Sequence, residues 1–195
     1  MSIVERNAPV TMVRPDLAGV PRFDLPTRYS LRRYAPGDER DWVRINAAAD
    51  RYNAITFELF RREFGYDSEL LGRRLFFLAD GDGSAIGTAA AWFDDRDPPR
   101  PDGRVHWVAI HPECQGRGLA KPLLSRVCSA LRELGHQGAY LTTSTARTRA
   151  ITLYVRFGFV PEIASPAEAA AWEELGAYVG DLRECRWVER RTGET

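Results

Sequence analysis

The stretch from residue 105 to 127, VHWVAIHPECQGRGLAKPLLSRV, limits most tightly what this chain can become. An alternating apolar run stops at Pro112, passes Gly116 and Gly118, and enters helical spacing at once. Ala120, Leu124, Val127, Leu131 and Leu134 then share one helical face. The order is strand, sharp loop, glycine turn, helix. Gly116 and Gly118 permit backbone angles closed to other residues and let a ligand approach the main chain. The helix behind them starts with about four N–H groups that lack intrahelical partners. With the helix dipole, these groups make a site for a phosphate-like anion. Pro122 removes one donor near the first turn, where the loss costs little. An extended ligand with an anionic end, lying beside the strand, is therefore expected.

The flanking sequence predicts a mixed sheet with helices on both faces, an α/β domain over residues 29–190. Residues 1–28 carry Pro9, Pro15, Pro21 and Pro26, too closely spaced for a regular helix, and read as an extended arm. A strand is expected over residues 29–34. Asp38 is placed to cap a helix that carries Trp42, Ile45, Ala48 and Ala49 on one face. A second helical stretch over residues 57–74 breaks near Gly65. LFFLAD and AIGTAAAWFD read as paired strands joined through GDG at positions 81–83, and DRDPPRPDG as a polar loop. The helix after the glycine turn starts at Arg117 or Gly118 and runs to Leu134, with Gly135 as its C-cap. AYLTTS reads as a strand, and a further helix opens at Ser144 or Thr145 and ends at Gly158. Ser165-Pro166-Ala167-Glu168 is a capping box that starts a short helix to Leu175, and a last strand is expected over residues 182–188.

Charge narrows the partners. The chain's 27 basic and 27 acidic residues balance to a formal net charge of zero. Neither nucleic acid nor an anionic membrane is indicated by that balance. Only Lys121 among the basic residues is a lysine, and the arginines are spread rather than clustered. Cys114, Cys128 and Cys185 are odd in number and far apart, with no metal-ligand spacing, so no metal is expected. Free thiols fit a reducing compartment, MSIVERNAPV lacks a signal peptide's apolar core, and no apolar run spans a membrane. A cytoplasmic protein is the expectation.

QGRGLA resembles the Q/R-x-x-G-x-G/A signature of the GNAT N-acetyltransferase superfamily, and VAIHPECQGRGLAKPLL follows its strand, loop and helix in order. AITLYVRFGFVP, about 35 residues on, is similar to the family's second motif, with Tyr154 in its tyrosine position. The resemblance covers about residues 75–161. It implies a sheet of about six or seven strands, splayed between the strands at 105–111 and 139–144. It implies acetyl-CoA as co-substrate, its pyrophosphate surrounded by Gln115, Gly116, Arg117, Gly118, Leu119 and Ala120, mostly through backbone N–H groups. The pantetheine arm would pair like an extra strand with Val108 and Ile110. Many members carry Asn seven residues before the tyrosine; here Arg147 stands there, and could reach the same amide, a phosphate or solvent. Family members are often dimers, so a homodimer is among the implied partners.

Acetyl transfer needs a neutral amine, a donor to the developing oxyanion, and a proton for the leaving thiolate. Neutralising a lysine-like amine at pH 7 costs about 4.6 kcal/mol, an α-amine only about 1.4 kcal/mol. The backbone N–H of Val108 is the most economical oxyanion donor. Tyr154 is the acid candidate. His106 is the base candidate, because strand periodicity puts it on one face with Val108 and Ile110. Asp94 and Asp95 are fallback bases, while His111, His136 and Cys114 read as structural or surface residues. Tyr52, Phe57, Phe60, Trp92 and Trp107 are aromatic candidates for the acceptor pocket, with Glu58 or Asp50 to attract a cation. The acceptor is a small-molecule or peptide amine. A CoA-binding regulatory module without catalysis, and a transferase of a bulkier acyl group, are the alternatives.

Overall fold

A computed structural model of the chain describes residues 1–96 and 101–189, with only the backbone at positions 183 and 184. The expected polar loop at 95–103 therefore lies in part outside the described residues, as does residue 190 at the expected domain end. The fold is mixed α/β as anticipated, and its strands, numbered in chain order as β1 (Pro9–Arg14), β2 (Ser30–Arg33), β3 (Leu75–Ala79), β4 (Ala85–Trp92), β5 (Gly103–Ile110), β6 (Ala139–Ser144), β7 (Val160–Ile163) and β8 (Val188–Glu189), run β2-β3-β4-β5-β6-β1-β7-β8. Among the described residues there are eight strands, slightly more than the expected six or seven. The chain divides into two compact units, Met1–Val20 with Phe93–Arg104 and Gly135–Thr195, and Pro21–Trp92 with Val105–Leu134. Among the described residues, no helix is long and apolar enough to cross a membrane.

Two strands not placed from the sequence, Pro9–Arg14 and Val160–Ile163, are in the first unit. There α1 (Ile3–Arg6), closed by a Ser2–Glu5 capping box, leads into β1 (Pro9–Arg14). Residues 9–14, expected in an extended arm, lie instead between two strands. β1 runs antiparallel to β6 (Ala139–Ser144), from Pro9↔Ser144 to Arg14↔Ala139, and antiparallel to β7 (Val160–Ile163) on its other side. Proline is tolerated at a strand's first residue, and Val10, Met12 and Val13 supply the buried side chains. Ser144 and Thr145 do not start a helix. Thr145 Oγ1 accepts the Ala8 N–H at 3.0 Å and donates to Ile3 O at 2.6 Å, so α6 begins only at Thr148 and ends at Arg156. α7 (Pro166–Leu175) starts as expected, Ser165 Oγ accepting the Glu168 N–H at 3.2 Å. The box closes one residue early, because the Glu168 carboxylate accepts from Ala164 N. The predicted strand over 182–188 is a correction. Residues Gly180–Glu184 form a 3₁₀ turn, and only β8 (Val188–Glu189) is extended, parallel to β7.

In the second unit, β2 (Ser30–Arg33), β3 (Leu75–Ala79) and β4 (Ala85–Trp92) form antiparallel pairs. β5 (Gly103–Ile110) is shared between the units. Its first two residues pair in parallel with Ala139 and Tyr140, and residues 105–110 belong to the second unit. Helix α2 (Glu39–Ala49) differs from expectation at its cap. Asp38 makes no side-chain cap bond; its carboxylate instead accepts from Arg32 and from the Ala35 N–H. The long helical stretch divides at Gly65, φ 75°, into α3 (Phe57–Phe64) and α4 (Ser68–Arg74). Trp42, Ile45, Leu59, Phe60, Phe64, Leu71 and Phe77 form the core with Tyr34 and Ala90. Helix α5 (Ala120–Glu133) buries Leu123, Leu124, Val127, Cys128 and Leu131, and packs on β4. Gly87 in β4 admits the close approach of β5. A Cβ on Gly87 would stand 2.6 Å from Ile110 Cδ1 and 3.1 Å from Ala109 O.

Candidate functional site

β5 is not a simple alternating strand. Trp107 has φ 48°, a left-handed angle that costs a non-glycine residue roughly 1–2 kcal/mol. The burial pattern registers the break. Val105 and His106 are buried together, Trp107 and Val108 are half-buried together, and Ala109 and Ile110 are buried again. Such a bulge re-aims the residues that follow it. The regular alternation expected for His106, Val108 and Ile110 is thus interrupted at Trp107.

Beside this irregularity lies a carboxylate absent from the residues expected from the sequence. Glu63 Oε2, on α3, accepts from the Trp107 indole Nε1 at 3.1 Å and pairs with His106 Nε2 at 3.0 Å. The His106 side chain is 7% exposed and that of Glu63 22%, so the imidazole is the enclosed partner and the carboxylate its link to solvent. An ionised carboxylate only accepts hydrogen bonds, which gives the Nε2 hydrogen to the His106 ring. The rings of Phe64 at 5.5 Å and Trp107 at 5.9 Å wall the imidazole in. Trp107 also meets Trp42 edge-on at 5.0 Å.

At the far end of β5 the chain turns sharply. His111 N–H bonds Ile86 O at 2.8 Å, residues Pro112–Cys114 make one 3₁₀ turn, and Gln115 Nε2 donates to Ile110 O at 2.9 Å. Gly116 and Gly118 take φ 76° and 77° on either side of Arg117. Backbone in such conformations turns successive N–H groups toward one concavity, the nest that suits anions. A Cβ built on either glycine meets nothing within 4 Å, so no other part of the protein crowds the loop at these two positions. Gln115 through Gly118 are exposed, and Leu119 is buried as the anchor of the turn. α5 starts at Ala120 rather than at Arg117 or Gly118, which leaves both glycines in the loop. The Arg117 guanidinium donates to Glu113 O at 2.8 Å and to the Tyr29 hydroxyl at 3.5 Å. Hydrogen bonds from Arg117 and Arg28 hold the Tyr29 phenol below its ordinary pKa. Arg117 thus braces the loop from outside. The residues here fit a diphosphate: open main chain, glycines where a side chain would intrude, and a helix start behind.

Other candidates lie apart from this cluster. Phe57 and Phe60 line a pocket of about 380 Å³ with Arg40, Arg61 and Tyr66, a set that includes neither Tyr52, Glu58 nor Trp92. Trp92 packs edge-on against Phe64 at 5.0 Å. Asp50 accepts from the Tyr52 N–H and the Asn53 amide, an ordinary turn carboxylate. The Glu58 carboxyl is held below its usual range by its own backbone N–H and by Thr56. In the first unit, both Asp94 oxygens accept from Arg96, which also donates to Asp102 and stacks on Tyr140 at 3.9 Å. Burial works to lower the Arg96 pKa, but the bonds to Asp94 and Asp102 hold it raised. Asp95 accepts from Arg104 and Tyr140. Both aspartates are committed to ion pairs. Also in that unit, Tyr154 is buried on α6, edge-on to Phe159 at 6.1 Å, and Arg147 Nη1 donates to Ser144 Oγ at 3.2 Å.

Known proteins identify the family and the fold. A model of the Acetyltransferase (GNAT) family matches residues 41–159. A mycothiol acetyltransferase of Pseudarthrobacter chlorophenolicus is 32% identical over 147 residues, covering 73% of this chain and 46% of that protein. One from Geodermatophilus obscurus is 33% identical over 171 residues, 80% and 53% of the two chains. The chain thus spans about half the length of the curated relatives it matches. Among solved structures, a GCN5-related N-acetyltransferase from Sphaerobacter thermophilus superposes with TM-score 0.66 at 22% identity, over 78% of this chain and 48% of the other. A GNAT-family acetyltransferase from Colwellia psychrerythraea gives 0.60 at 15%, over 80% and 53%.

Proposed function

The chain belongs to the GNAT acetyltransferase family, and from that membership we propose that it transfers an acetyl group from acetyl-CoA to the primary amine of a small molecule. The observation that carries the reading is the open glycine nest at Gly116–Gly118, set between the end of β5 and the start of α5. Its amides would hold the diphosphate, and the main chain at Val108 and Ile110 would line the thioester arm. The mycothiol acetyltransferases among its relatives support a small-molecule acceptor over a peptide one.

Acetyl-CoA supplies the activated acyl carbon; the chain supplies orientation and proton handling. The C–N bond forms as the C–S bond breaks, and the Val108 N–H donates to the oxygen on which charge develops. His106 removes the amine proton, directly or over one water. The proton for the departing sulfur is assigned to Tyr154, on its place in the second family motif. A thiol near pKa 8.5 is a stronger acid than a phenol near 10, so full transfer is uphill by about 2 kcal/mol and must be concerted with C–S cleavage.

Thiol release from acetyl-CoA across a panel of small amines, aminoglycosides and peptides tests the reading, with transfer expected to a small amine. Tyr154→Phe is expected to lower kcat about 100-fold, within the span of general acid catalysis, and to leave the calorimetric Kd for acetyl-CoA within about threefold. Full activity in that variant removes the acid role. Binding without transfer to any amine would favour a regulatory CoA-binding module instead.

A further inference from the structure

The second unit holds a pocket that no step of the proposed reaction uses. It has a volume of about 380 Å³ and lies among the start of α2, one face of α3 and the turn into α4. Phe60 and Leu71, each 1% exposed, give it an apolar floor. Phe57 and Tyr66 stand beside them with 43% and 78% of their surface still open to solvent. Arg40, Arg61 and Glu39 supply its charge. We propose that this pocket is a binding site for a small aromatic carboxylate, separate from the site of acyl transfer.

Charge selects the ligand. Among the described residues, Arg40 and Arg61 form no ion pair and no side-chain hydrogen bond. The acids around them are taken. Glu39 accepts from the Tyr34 hydroxyl, Asp38 from Arg32 and the Ala35 N–H, and Asp41 from Arg44. Asp67 caps α4, and Glu69 pairs with Arg73. Glu58, one turn before Arg61, is held low chiefly by its own backbone N–H and by Thr56, and least by Arg61. Two guanidiniums against one lining carboxylate leave the pocket cationic. A guanidinium meets a carboxylate through two parallel N–H···O bonds, a fit that an alcohol cannot reproduce. The open faces of Phe57 and Tyr66 suit the flat apolar body of such a ligand. Arg61 already lies over the Tyr66 ring, 5.5 Å from its centroid. The volume falls at the small end of ligand sites, room for one or two fused rings.

Packing sets this pocket apart from the reacting atoms. Among the described residues, none of β5 lines it. The Phe60 ring is 5.3 Å from that of Trp42, which is fully buried and stands 5.0 Å from Trp107. A packed indole thus lies between the floor of the pocket and the strand that carries Val108. An ammonium group would also face two like charges here, which disfavours the acceptor amine as the occupant. The ligand is held beside the reaction and not within it. Because it would touch α2, α3 and the turn into α4 together, its binding also stabilises the folded chain by mass action.

Calorimetric titration of the full chain with naphthoate tests the site, with naphthylmethanol and naphthylmethylamine as its neutral and cationic matches. Saturable binding of naphthoate is expected, about tenfold or more tighter than that of the alcohol, with the amine weaker still. Arg40→Ala and Arg61→Ala change exposed side chains and leave the core intact. Each is expected to weaken naphthoate about tenfold and to keep the Kd for coenzyme A within about twofold. Amide shifts during the titration should fall at Gly37, Gly65 and Tyr66, and saturating coenzyme A should leave naphthoate binding unchanged. Equal affinity for the acid and the alcohol, or undiminished binding in both arginine variants, would overturn the proposal. So would shifts centred on Gly116–Gly118, or no saturation by about 10 mM naphthoate, a concentration beyond the millimolar range of even weak specific sites. Competition between naphthoate and an amine substrate in thiol release would contradict the separation of the two sites. The binding measurements need no turnover, so they decide this pocket even if the wild type transfers acetyl to no amine.

Discussion

Gly118→Val is expected to weaken acetyl-CoA binding about tenfold while leaving the protein folded. Gly118 sits at φ 77°, outside the range of a β-branched residue, and nothing lies within 4 Å of a Cβ built there. The penalty therefore comes from the backbone and not from a clash with the protein. Left-handed geometry costs an L-residue roughly 1–2 kcal/mol, and valine escapes that cost by flipping the loop. A flipped loop turns its N–H groups away from the concavity. Binding must draw the loop back against that roughly 1–2 kcal/mol, so the loss is about 5–30-fold in Kd. Because the loop is exposed, thermal stability should move little. Calorimetric titration with acetyl-CoA and a melting curve on the same sample separate the two effects.

Trp42→Ala should show the reverse pattern, a loss of about 3–5 kcal/mol in urea unfolding. Trp42 is fully buried, and meets Phe60, Phe64 and Trp107 edge-on at 5.3, 5.7 and 5.0 Å. Aromatic pairs of this kind are worth about 0.5–1.5 kcal/mol beyond the area they bury. Its indole Nε1 makes no hydrogen bond among the described residues. Truncation thus removes packing alone, and Trp42→Phe should cost less than half as much as Trp42→Ala. Set against a typical stability of about 5–15 kcal/mol, the alanine variant would be marginal at 37 °C. An equal cost for Phe and Ala would mean that the indole's polar edge matters in a way the structure does not explain.

These two variants mark what could be read from the sequence. The nest was legible because its signal is local: Gly116 and Gly118, a strand before and a helix after, within a dozen residues. The strand pair at LFFLA and AIGTAAAW and the break at Gly65 were legible for the same reason. What escaped depends on distant partners. Residues 9–14 look like part of a proline-spaced arm until β6 and β7 appear on either side of them. Asp38 has the right residue type for a cap, yet Arg32 takes its carboxylate. The period of two through His106, Trp107 and Val108 is a sound rule for a regular strand, and the bulge at Trp107 defeats it. Glu63 could have been noticed beside the apolar face of Phe60 and Phe64, but its pairing with residues 43 and 44 positions away could not. Local chemistry announces itself; a carboxylate that works across the fold does not.

The proposed activity depends on capture of a diphosphate by main-chain N–H groups at residues 116–118. Amide-resolved NMR during a titration with coenzyme A measures this directly. Saturable shifts of the Gly116, Arg117 and Gly118 amides, with Val108 and Ile110 moving at the same midpoint, are the predicted result. Saturation at other residues while those five amides stay still would contradict it.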